Sequence, residues 1–265
     1  MADLPDLEAL WKEQMARASL KWEDEKFRYE RTQLPPLSFR TGNYAEELVE
    51  QLALSPGDTV LDIGCGDGAI AVRVAKRVRQ VTALDADPNL LFPVTQRAVA
   101  EGITNLSFLN LDWREARIGP DIPVHDIVLA SRFRQITDLR GFLEKMNAAA
   151  IDKCYLTWIA EREEMDARIC QILGREYHPL PDYSIIPKVL HDLGIEARVD
   201  FFSTRSTHRF ESEEAAIEEA ARGYEVQTFS QQERLSSLVR SGLEYREGYW
   251  WRDIDARWAL IWWQK

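Results

Sequence analysis

Positive charge, cysteine and long apolar runs are all scarce in this sequence, and each scarcity removes a class of function. Lys and Arg total 33 against 44 Asp and Glu, a formal net charge of −11. Non-specific affinity for nucleic acid comes from neutralising phosphates with Lys and Arg, so this balance argues against a general nucleic-acid binder. It leaves a shaped RNA or protein substrate open. Three cysteines, Cys65, Cys154 and Cys170, are odd in number and lack metal-ligand spacing. Neither a disulfide framework nor a metal site is expected. No apolar run reaches the roughly 18 residues that a membrane-spanning helix needs. The amino terminus, Met1-Ala2-Asp3-Leu4-Pro5-Asp6, carries acids where a secretory signal carries positive charge. The expectation is a cytoplasmic protein without membrane contact; the sequence does not encode its oligomeric state.

What is present reads as α/β. From Thr59 onward, short β-rich apolar runs alternate with helical patterns, the order that builds a parallel sheet covered by helices. Strands are expected at Thr59 to Ile63, Val81 to Asp85, Leu106 to Leu109, Asp126 to Ala130, Cys154 to Ile159, Ala197 to Phe202 and Trp258 to Trp263. Ile70, Val74 and Val78 share one face of the first intervening helix. Asp87-Pro88 reads as a helix start, and Pro93 predicts that this helix kinks or begins late. Asp138 caps a helix carrying Leu139, Phe142, Leu143 and Met146, and Gly194 stops another. In the last strand Trp258, Leu260 and Trp262 face one side and Ala259, Ile261 and Trp263 the other, as in a central strand buried on both faces. The expected architecture is a Rossmann-like, seven-stranded, mostly parallel sheet with helices on both faces. Residues 1–44 read as a helical amino-terminal cap, and 45–265 as the main domain with insertions at 161–183 and 204–256. Ser230-Gln231-Gln232-Glu233 reads as a capping box and Gly242 as the stop of that helix.

The chemistry concentrates where the first strand ends, at Leu61-Asp62-Ile63-Gly64-Cys65-Gly66-Asp67-Gly68. Glycines at a strand-to-helix turn let a ligand approach the backbone closely. A dinucleotide loop is spaced G-x-G-x-x-G and receives a pyrophosphate, whereas here the spacing is G-x-G-x-G. Asp62 and Asp67 would repel a pyrophosphate and attract a cation. Asp67 can also cap the following helix, and Cys65 reads as a packing residue.

These residues resemble motif I of the class I S-adenosylmethionine-dependent methyltransferases. The resemblance covers about residues 45 to 203 plus the final strand. It implies S-adenosylmethionine as cofactor, with Asp62, Gly64, Cys65, Gly66, Asp67 and Gly68 around it. Asp85, followed by Ala86, stands where the family holds the ribose hydroxyls. Asp112 stands where the adenine amino group is accepted, with Trp113 packed on the base. Ser131 matches the methionine end. The acceptor is expected to be a small molecule, the alternatives being a tRNA or protein side chain, or a binding module without catalysis.

No dedicated catalytic motif is present. In-line methyl transfer relies on positioning, and a base is needed only where the acceptor loses a proton. His178, beside Tyr177, is the best base candidate among the histidines; His125 and His191 read as structural or surface residues, and His208 ranks lower. Arg132 and Arg134 follow the fourth strand, where an anionic group of the substrate could be bound. Tyr29 lies in a segment with Trp22, Phe27 and Arg28 that forms either a lid or part of the core.

Overall fold

The computed structural model describes residues 6–18, 38–133, 135–162, 165–221 and 226–265. Its elements open with α1 (Leu7–Arg17), β1 (Ser38–Gly42), α2 (Tyr44–Gln51), β2 (Thr59–Ile63), α3 (Ala69–Ala75) and β3 (Gln80–Asp85). A single 3-10 turn at Pro88–Leu90 leads into α4 (Leu91–Ala100), followed by β4 (Leu106–Asn110), β5 (His125–Ala130), α5 (Leu139–Ala149) and β6 (Ala150–Arg162). Next come α6 (Met165–Leu173), α7 (Ile185–Asp192), β7 (Ala197–Phe210), α8 (Glu213–Ala221), α9 (Phe229–Ser241), β8 (Glu244–Arg246) and β9 (Tyr249–Gln264). Among the described residues no helix is long and apolar enough to cross a membrane.

The strands form one sheet in the order β1-β7-β9-β6-β5-β2-β3-β4, with β8 paired to β9 as a hairpin. From β4 to β6 the neighbours are parallel. β9 runs antiparallel to both β6 and β7. Among the described residues, nine strands therefore stand where seven were expected. Both additions lie in segments expected to be helical or irregular: β1 falls within the presumed amino-terminal cap, and β8 within the last insertion.

Alternation in the central strands divides the core. Leu61, Val128, Leu156, Ile261 and Trp263 belong to one cluster, and Val60, Leu129, Tyr155, Trp258 and Leu260 to the other. This is the two-faced burial expected for the last strand. Buried Trp11 ties α1 to the first cluster through its indole N–H, which donates to the Ile136 carbonyl at 2.6 Å, and its ring lies 4.9 Å from that of Trp158. Trp22, Phe27, Arg28 and Tyr29 lie outside the described residues, so the lid expectation does not meet the structure there.

The helix starts follow local chemistry. Asp138 accepts from the Gly141 N–H at 3.0 Å. Asp87 accepts from the Asn89 N–H at 3.0 Å and holds the 3-10 turn, so α4 begins late, as Pro93 predicted. The capping box of α9 is Thr228 with Gln231, not the stretch beginning at Ser230. Thr228 is the residue with extended backbone at that start, so its hydroxyl is the one that reaches the third helical N–H.

The last two long strands differ most from expectation. β7 continues to Phe210 and β9 begins at Tyr249, so both ends of the presumed 204–256 insertion are strand. The end of β6 at Arg162 pairs with Ala256, which leaves Tyr249 to Asp255 and the facing part of β7 extending beyond it on the carboxyl side. α6, α8 and α9 pack on this ribbon around a separate core of Ile169, Phe210, Ile217, Leu235 and Val239.

Candidate cofactor site

The parallel strands end along one edge, and β2 runs there into a backbone of unusual shape. Gly64, Gly66 and Gly68 all have positive φ, at 68°, 57° and 75°. A Cβ on Gly64 would stand 2.5 Å from the Phe133 ring, so the position admits no side chain without moving that ring. A Cβ on Gly66 would meet nothing within 4 Å, which leaves its backbone open to a ligand. The loop is pinned to the next strand: the Gly64 and Cys65 N–H groups donate to the Leu84 carbonyl at 2.7 and 3.0 Å.

Asp85 closes β3 and holds two turns. One carboxylate oxygen accepts from the Gly66 N–H at 3.0 Å and the other from the Asp87 N–H at 3.0 Å. Each oxygen has a second lone pair, so the group retains capacity to accept from a vicinal diol. Ala86 is exposed immediately beyond it.

Asp62 lies on β2 just beneath the loop. It is 2% exposed, and one carboxylate oxygen is buried without a hydrogen-bond partner. Burial, reinforced by the charge of Asp85, pushes its carboxyl up to about 7. A buried carboxylate without a donor is costly, and a cationic ligand at this point would relieve the cost. Cys65 is also buried, and burial raises its thiol, which makes it an inert packing residue. Asp67 pairs with Arg97 at 2.6 Å and accepts from the Ala69 N–H at 3.2 Å. Its carboxylate is thus engaged at the start of α3 and against α4.

Asp112 follows β4 and is gripped by Arg114 through the backbone N–H at 2.8 Å and the guanidinium at 2.6 Å. Those bonds hold its carboxyl below the usual range. Trp113 differs from expectation. It is 2% exposed, its ring lies edge-on 6.2 Å from Phe142, and the Lys145 ammonium sits 4.6 Å from its ring centroid. Its ring is core packing behind the site rather than an open platform for a base. The sequence misled here because an aromatic after an acid looks alike whether its ring turns inward or outward.

Ser131, just past β5, is buried, and its hydroxyl lies 2.8 Å from that of Tyr44 on α2. The Tyr44 hydroxyl lies 2.7 Å from that of Thr157 on β6. Thr157 accepts from the Arg132 N–H at 2.9 Å, and the Arg132 guanidinium lies 4.3 Å from the Tyr44 ring centroid. Neither Tyr44 nor Thr157 was singled out by sequence, since a tyrosine opening a helix and a threonine within a strand carry no local signal. Arg134 lies outside the described residues. His178 sits in the loop between α6 and α7, 3.5 Å from Glu176. In the same loop, Leu180 lines a cleft of about 10 Å³ with Arg132, Thr157 and Trp258. His125 lies at the opposite end of β5 and bonds Thr82, as a structural residue does. His208 falls within β7 rather than after a strand, and is buried 3.6 Å from Glu219.

Residues 60–150 match the family model described as a methyltransferase domain. That match covers about a third of the chain and agrees with the resemblance of Leu61 to Gly68 to motif I of the class I S-adenosylmethionine-dependent methyltransferases. An uncharacterised protein of Haemophilus influenzae is 29% identical over 83% of this chain and 81% of its own length. The 2-phytyl-1,4-naphtoquinone methyltransferase of a Nostoc species is 31% identical, over 39% of this chain and 47% of that enzyme, so the match spans about half of its length. A solved Bacillus halodurans protein, described as a candidate methyltransferase, shares the fold with a TM-score of 0.55 at 16% identity, covering 83% of this chain and 98% of its own. The methyltransferase-domain match supports an enzyme that uses S-adenosylmethionine. The residues present fit that cofactor: the orphaned Asp62 oxygen suits its cationic end, and the bare Gly66 backbone admits it closely.

Proposed function

We propose that this methyltransferase acts on a small-molecule acceptor. The observation that carries the reading is the ribbon of β7 and β9, which extends on the carboxyl side of the sheet with α6, α8 and α9 packed around their own core. A folded structure beside the reaction edge narrows access there and favours a compact substrate over an extended polymer. The net charge of −11 points the same way.

Within this reading Asp62 takes the ammonium group, Asp85 the ribose hydroxyls and Asp112 the adenine amino group, while Ser131 lines the methionine end. Bound S-adenosylmethionine supplies an electrophilic methyl group. The chain's contribution is to orient acceptor and donor in line and to keep water out. Purified protein incubated with S-adenosylmethionine and a broad metabolite panel should form S-adenosylhomocysteine with a subset of compounds. Absence of turnover across the panel, together with tight binding to bulk tRNA at low salt, would overturn it.

An RNA acceptor has one observation in its favour. Arg209 lies 4.2 Å from the Tyr249 ring centroid and Arg246 lies 4.9 Å from that of Trp251, a cation-and-aromatic surface of the kind that stacks bases. The tRNA measurement decides between the two readings.

A further inference from the structure

Arg132 is one of two described non-glycine residues with positive φ, at 52°, and it stands immediately beyond β5 at the reaction edge. Left-handed backbone is unfavourable for a residue with a side chain and persists only where surrounding contacts impose it. Those contacts are visible. The Arg132 N–H is held by Thr157, the Thr157 hydroxyl meets that of Tyr44, and the Tyr44 ring carries the guanidinium. Tyr44 is itself fixed edge-on by Trp258 at 4.8 Å and by the hydroxyl of Ser131. The side chain so positioned is exposed, and among the described residues it has no carboxylate partner, although the chain holds 44 acids.

The register puts the residues that anchor this cation on the same face of the sheet as an anion. Asp62 pairs with Leu129 across β2 and β5, so Ser131 follows two residues later on the same face. Thr157 on β6 shares that face with Tyr155, as Leu129 pairs with Tyr155. Asp62, with its unpartnered buried oxygen, therefore lies on the side where Tyr44, Ser131 and Thr157 converge. A ligand end bearing both an ammonium and a carboxylate complements such a pair of charges.

We propose that Arg132 receives the carboxylate of the cofactor's amino-acid end, opposite Asp62, and that Tyr44 is the positioning residue that holds it there. This rests on the cofactor reading and says nothing of the acceptor. It moves Arg132 from the substrate to the donor.

The test compares S-adenosylhomocysteine with 5′-methylthioadenosine, which lacks the amino-acid end, by calorimetry on the full-length protein. Arg132→Gln should weaken S-adenosylhomocysteine tenfold or more and leave 5′-methylthioadenosine unchanged, and Arg132→Lys should recover part of the loss. Tyr44→Phe should weaken S-adenosylhomocysteine about threefold, again without touching 5′-methylthioadenosine; a purely structural role would shift both ligands and the melting temperature together. Equal effects on the two ligands, or none on either, overturn the proposal. Failure of the wild-type protein to bind either ligand would instead sink the cofactor assignment beneath it.

Discussion

The two halves of the sheet are built on opposite plans. Between β4 and β6 the strands are parallel, several only five or six residues long, and the active edge exposes a few groups fixed by backbone bonds. Between β6 and β1 they are antiparallel, with β7 and β9 running 14 and 16 residues. Their outer parts are half solvated and carry paired surface charges such as Arg205 with Asp255. The parallel half spends its polar groups on a ligand, whereas the antiparallel half spends them on itself and builds a second core. The first plan suits a site that must fit one unvarying cofactor. The second can change length and side chains without disturbing that site, and so suits selection of an acceptor.

Breaking the parallel half should cost the most. Asp85→Ala removes the proposed ribose acceptor and also releases the Gly66 and Asp87 N–H groups. Two charge-assisted bonds to ligand hydroxyls contribute about 1.5–3 kcal/mol each, so S-adenosylhomocysteine affinity should fall by about 100-fold or more. Calorimetry reads this directly, and an unchanged affinity would refute the ribose assignment.

The matching disruption of the cap should do the reverse. Leu235 is fully buried in the core shared by α6, α8 and α9. Leu235→Ala should lower unfolding stability by about 2–4 kcal/mol in denaturant titration. S-adenosylhomocysteine affinity should stay within about twofold, while turnover of any accepted substrate declines. A large loss of cofactor affinity would mean that the halves are not independent.

The same contrast explains what could be read from the sequence. All the parallel strands were legible, because their apolar runs are compact and bounded by turn residues, and those of β2, β3 and β5 are buried on both faces. The glycine loop was legible because its residues are continuous in sequence, and Asp85 because it ends the next apolar run. β1 and the outer parts of β7 and β9 were not. Stretches such as Arg205 to Arg209 and Arg252 to Arg257 alternate charge with small or polar residues, and only pairing to each other makes them strand. Tyr44 and Thr157 were invisible for a related reason: their role rests on contacts 87 and 113 residues apart along the chain.

Asp62 gives a prediction of intermediate size. Its folded-state value, about 7 against 3.8 for the free group, is raised by burial. The ligand-free protein should therefore lose stability as pH rises from about 4 to 7, as an uncompensated charge is forced into the interior. A cationic cofactor favours the ionised form, so S-adenosylmethionine should bind with proton release below pH 7 and roughly tenfold more tightly at pH 8 than at pH 6. Asp62→Asn should flatten both profiles. A wild-type affinity independent of pH across that range would argue that Asp62 does not face the cation.

The smallest expected effect concerns Asp112, whose carboxylate is shared with Arg114. If Asp112 accepts from the adenine amino group, Arg114 weakens it as an acceptor by drawing on the same lone pairs, yet fixes its orientation through the backbone bond as well. Removing the guanidinium strengthens the acceptor but loosens its aim, and at this half-open position the two nearly cancel. Arg114→Ala should change S-adenosylhomocysteine affinity by less than about threefold, whereas Asp112→Ala should weaken it by about tenfold, the effect of one good hydrogen bond to a charged group. Replacing adenosine by inosine in the ligand supplies the decisive arm. Inosine lacks the amino group, so its analogue should bind wild type and Asp112→Ala alike; discrimination that survives the substitution would place adenine recognition elsewhere, on the backbone of β4 or its loop.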